Sequence, residues 1–279
     1  MAGPSIPSAL SRPVDVAHMS NRFALAGFGV AAVVLGIKAL VSDELSIVGA
    51  FAGAVAVFLG WAVGRELDPD TPGVAALAMI LALAVAIFST PAALATGVAL
   101  IGVRVVSGTV GAPVTWIDTA VFLGIGVVVG ANPILWIVGV SILMWLMRAP
   151  EVGALRNWVT AALLVGSAGG LGWLWSRWNA GLIDDVEITA TAYVLAAAAG
   201  AAMMLAARPV QATSPTDSGA GTVDPVRVRF ARLAAGAYCM WAAVIGGTAG
   251  FWSIGPVFAA LVAAAIYRVF MQPAAAPRQ

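Results

Sequence analysis

Basic residues lie almost entirely on one side of a chain that divides into ten apolar segments, and this asymmetry limits what the chain can fold into. The segments run 23–41, 45–64, 72–90, 91–107, 114–130, 131–147, 157–176, 188–207, 230–248 and 251–270. Each is close to the roughly 17–25 residues that cross a hydrocarbon core. With alternating topology, twelve of the 14 basic residues fall on the side of the N-terminus, and only Lys38 and Arg177 fall on the other. Basic loops resist translocation, so the split predicts an all-α polytopic transmembrane bundle with both termini in the cytoplasm.

Composition agrees. Hydrophobic residues make up 61% of the chain and charged residues 10%, against about 25% charged in soluble domains. The gap 208–229 is rich in Ser, Thr, Gly, Asp and Pro and reads as a disordered cytoplasmic linker. Residues 1–22 and 271–279 read as cytoplasmic tails around a membrane domain spanning 23–270. The first apolar run is too long for a signal peptide and no Ala-x-Ala site follows it, so it reads as an uncleaved helix. A net charge of +1 argues against nucleic acid, and the cationic rim points to membrane lipids, including the anionic ones of the inner leaflet. Thirteen arginines against one lysine suggest a GC-rich bacterial genome, hence a bacterial plasma membrane. A single cysteine, Cys239, excludes an intrachain disulfide. No cofactor motif is present.

The organisation suggests a duplication. Arg22, Lys38, Asp43 with Glu44, Arg65 and Arg104 occupy slots in 23–107 that Arg156, Arg177, Asp184 with Asp185, Arg208 and Arg268 occupy in 157–270. That predicts two parallel four-helix blocks around a central helical pair at 114–147, whose segments either span or re-enter. In helix count and length the chain is similar to the drug/metabolite transporter superfamily. That resemblance implies two inverted five-helix halves rather than parallel blocks.

Candidate site residues fall into three groups. The loop following Arg65 carries Glu66, Asp68 and Asp70, three carboxylates that would hold Mg²⁺ in a membrane enzyme using a diphosphate substrate. A turn-and-cap account covers the same residues: Asp68-Pro69 turns the chain, Thr71 caps the next helix, and Pro72 takes its first position. On that account Asn would serve at 68 and 70 nearly as well as Asp. Arg104 and Asp118 flank a Gly-rich loop and are placed to pair across it or to meet an anionic head group. Lys38 is an intramembrane cation near its helix end, and Asn132 lies in the Gly130-Ala131-Asn132-Pro133 break of the central pair. Tyr238 and Trp241 share a helix face near mid-membrane beside Cys239 and would line a pocket. No nucleophile-base pair or histidine cluster occurs. By elimination the leading expectation is a small-molecule transporter or permease. The alternatives are a membrane scaffold or assembly factor, and a membrane-embedded enzyme using the acidic loop.

Overall fold

The computed structural model describes residues 14–111, 189–208, 212–219 and 221–271. Within them the chain forms helices α1 (Met19–Val41), α2 (Ile47–Leu67), α3 (Pro72–Phe88), α4 (Ala93–Ser107), α5 (Ala190–Ala206), α6 (Pro225–Ser253) and α7 (Gly255–Phe270). No strand appears among the described residues beyond an isolated bridge. Helices α1 and α2 are long and apolar enough to cross a membrane. A third such unit joins Gly246–Ser253 to α7 through a 71° bend, while α3, α4 and α5 are apolar but shorter. The segments 114–130, 131–147 and 157–176 lie outside the described residues, and with them the central pair, the first helix of the second expected block, Asp118 and Asn132.

Local chemistry sets the helix ends. The hydroxyls of Ser46 and Thr189 accept from the backbone N–H of Gly49 and Ala192, and Asp224 caps α6 through Val226 ahead of Pro225. Thr71 occupies the cap position of α3, with Pro72 behind it, but its side chain makes no capping bond. Helix α4 stops at Gly108, which adopts a left-handed conformation (φ 67°). Helix α6 is broken at Gly247 (φ 58°, ψ −151°), a conformation essentially reserved for glycine.

Packing runs inside out relative to a soluble bundle. Helix α2 lies at the centre, touching α1, α3, α4, α6 and α7. Its glycines allow close approach: a Cβ at Gly64 would stand 2.8 Å from Ala78 Cβ and 3.1 Å from Ala75 Cα, and one at Gly60 would stand 2.9 Å from Ala82 Cβ. Small residues at an interface, with apolar residues around the rest of each helix, suit association in lipid. Helix α1 buries Asn21, Ala24, Ala31 and Leu35 and turns Phe23, Val30, Val33, Ile37 and Leu40 outward.

Part of the 208–229 segment has regular structure that its composition does not suggest. Residues 212–219 and 221–224 fold back on one another as a hairpin around a Pro215–Thr222 bridge, with Thr216 N–H donating to Gly221 O (2.8 Å) and Val223 N–H to Ser214 O (3.0 Å). Helix α6 then begins at Pro225, inside the span read as linker.

A buried ionic cluster at one end of the bundle

The C-terminal end of α2 carries two buried carboxylates, two residues apart, and each engages a different part of the bundle. Glu66 Oε1 accepts from Arg104 Nε of α4 (2.8 Å), and its Oε2 accepts from the hydroxyls of Ser107 (3.3 Å) and Thr109. Asp68 Oδ2 accepts from Arg232 of α6 (3.1 Å) and Arg268 of α7 (2.9 Å). Arg232 is 0% exposed and Asp68 1% exposed, so these pairs are shielded from water and screened little by salt.

Arginines here also satisfy helix ends. Arg232 Nε donates to Leu67 O (2.6 Å) and its Nη1 to Ala206 O (2.8 Å), the last carbonyls of α2 and α5. Arg227 donates to Val105 O (2.9 Å) and Val106 O (3.2 Å) in the last turn of α4. Terminal carbonyls have no intrahelical partner and gather the negative end of the helix dipole, so cations from α6 serve three helices. Arg65 adds a bond to Asn21 of α1 (3.0 Å) and stacks over Trp61.

The hairpin lies across this end. Asp70 accepts from Thr213 N–H (2.8 Å), the Thr213 hydroxyl (3.1 Å) and Ser214 N–H (2.8 Å). Asp217 and Ser218 donate backbone N–H groups to Thr109 O and Val110 O, 3.0 Å each. Burial pushes the Asp70 carboxyl upward, but the hydrogen bonds from Ser214 and Thr213 outweigh it and hold its pKa below the ordinary 3.8.

The sequence-predicted residues separate accordingly. Glu66, Asp68 and Asp70 share a loop but face different donors, and no group of three potential metal ligands forms among the described residues. Asp68 acts through ion pairs rather than as a simple turn residue. Arg104 joins Glu66 in the cluster. Lys38 lies at the opposite end, where Nζ donates to Ile87 O (2.7 Å) in the last turn of α3. Tyr238 is buried at mid-α6 with its hydroxyl unpartnered among the described residues, while Trp241 is only partly buried. Arg232 and Arg268, which complete the cluster, were not among the candidates. Their signal was an arginine inside or at the edge of an apolar run, which calls for a counter-charge.

As chemistry, the cluster is a set of charge-assisted contacts between helices, without a nucleophile-base pair. Comparison with protein-family models, with curated proteins and with solved structures finds no match.

Proposed function

We propose that the protein is a polytopic transporter of a small molecule, and that the ionic cluster closes its cytoplasmic end. One observation carries this reading: buried ion pairs tie the end of α2 and the residue after it to α4, α6 and α7, and Arg232 extends the tie to α5. A permanently packed scaffold gains little from such pairs, since well-packed apolar side chains in their place are often as stable or more so. Ion pairs suit an interface that must separate and re-form, because each partner keeps a charged group that water can solvate once the contact opens. Orientation follows from the positive-inside rule, because the arginine-rich end would stay in the cytoplasm. Helix α4 finishes at that end and α5 begins at the other, the parity that ten spans require. The parallel four-helix repeat belongs to the same proposal.

The scaffold reading stands second, favoured by the close Gly-Ala packing of α2 on α3. Cys239 separates the two. It is the chain's single cysteine, fully buried and two turns inward of Arg232 on α6. In reconstituted protein, Asp68→Asn should raise labelling of Cys239 by a membrane-impermeant maleimide by about tenfold, as expected when an open minor state gains roughly 1.4 kcal/mol. Unchanged labelling in a folded variant would favour the scaffold.

A further inference from the structure

Among the described residues, a groove of about 320 Å³ with apolar walls runs between α5 and α7, formed by Ala202 and Leu205 of α5 and by Val262, Ala265, Ile266 and Val269 of α7, with Phe270 at its end. It opens at the arginine-rich end, because Leu205 precedes Ala206, whose carbonyl meets Arg232, and Val269 follows Arg268, which meets Asp68. The surface around it is exposed and apolar, with Met204 on α5 and Phe270 and Met271 at the end of α7 turned outward. That combination fits hydrocarbon rather than water.

Arg208 stands two residues beyond α5, one helical turn from Leu205. It is exposed and makes no bond among the described residues. The carbonyl of Ala206, which ends α5, is already served by Arg232, so Arg208 is not needed there. A long cationic side chain one turn beyond an apolar groove can lay its stem toward it and hold its guanidinium at head-group level.

We propose that this groove holds one acyl chain of an anionic phospholipid whose phosphate is bound by Arg208. The acyl chain fills a slot without polar atoms, and the phosphate supplies the planar acceptor geometry that a guanidinium matches with paired hydrogen bonds. Basic sites beside membrane helices select anionic lipids in this way. The site rests on membrane residence and not on transport, so a failure of the transporter reading leaves it intact.

The test is native mass spectrometry of the full-length protein, with phosphatidylglycerol and phosphatidylcholine offered together. Wild type should retain phosphatidylglycerol several-fold over phosphatidylcholine. Arg208→Gln should abolish the preference, whereas Arg22→Gln, at another exposed arginine of the same end, should leave it. Ala265→Phe, which fills the slot, should reduce retention of both lipids; if that variant does not fold, Ala202→Leu serves the same purpose. Wild-type preference in Arg208→Gln, or undiminished retention in the folded groove variant, would overturn the proposal. So would displacement of phosphatidylglycerol by inorganic phosphate alone, since that would mean the groove adds nothing.

Discussion

At the scale of single residues, Asp68 and Asp70 show how two carboxylates in one loop acquire different energetic weight. Asp68 is buried between two arginines, so Asp68→Ala leaves both without their shared acceptor and should cost about 3–5 kcal/mol, the range for breaking a buried pair from one side. Thermal unfolding in detergent measures this, and Asp70→Ala should shift the midpoint far less because its side chain is largely solvated. Asp70 should instead govern the hairpin's pH response. Its folded pKa lies below the ordinary 3.8, so its contribution is complete above that value and disappears as pH falls through the lower folded one. Proteolysis within 212–219 should therefore accelerate in acid for wild type, and an Asp70→Asn variant should flatten the response. The sequence exposed the acidic loop and Arg104, but not the pairing. Glu66 and Arg104 are distant in the chain, Asp68 and Arg232 more so, and Arg104 was matched to Asp118 as its nearest acid across the loop. An arginine such as Arg232, lying in the first turns of an apolar run, predicts that a counter-charge exists without naming it.

At the scale of helices and turns, the lengths of the apolar runs were an adequate guide to where segments lie and a poor guide to their detail. Segments 23–41, 72–90, 91–107 and 188–207 correspond to α1, α3, α4 and α5 within a few residues. Helix α6 starts earlier than its apolar run because Asp224-Pro225 is a strong start signal, and arginines at 227, 229 and 232 are tolerated where they reach carbonyls and carboxylates. The hairpin was not legible because Ser, Thr, Gly and Asp serve turns and disordered linkers alike. Its anchors, Asp70 and the carbonyls of Thr109 and Val110, come together only once α2 and α4 are packed. Gly60 and Gly64 lie one turn apart on α2, and α3 supplies the alanine stripe that packs on them. Gly64→Val should fail to assemble, because the added atoms meet the α3 backbone at Ala75 as well as Ala78. Expression of the folded form, followed by size-exclusion chromatography, is the readout. By contrast Gly29→Ala, where no atom lies within 4 Å of an added Cβ, should be neutral.

For the whole molecule, the arginine-rich helix ends gather at one pole: Arg65, Arg104, Arg227, Arg232 and Arg268 are tied together there, and Lys38 sits at the other. The hairpin docks on the same pole, so residue 215 and residue 18 should be reached by a labelling reagent from the same side of the membrane, and residue 43 from the opposite side. A cysteine scan in the Cys239→Ala background tests this, and labelling of 215 and 18 from opposite sides would dismantle the topology. The break at Gly247 gives this polarity a mechanical meaning. The long stretch of α6 before it is fastened by arginines to three other helices, whereas the short stretch after it turns through Ser253 into α7. Load applied at the far pole would therefore meet the break at Gly247 before reaching the fastened end, as a lever turns at its fulcrum. Gly247→Ala strains that fulcrum, because alanine resists its conformation, and its effect should appear in the position and movement of the far pole while the ion pairs at the near pole stay closed.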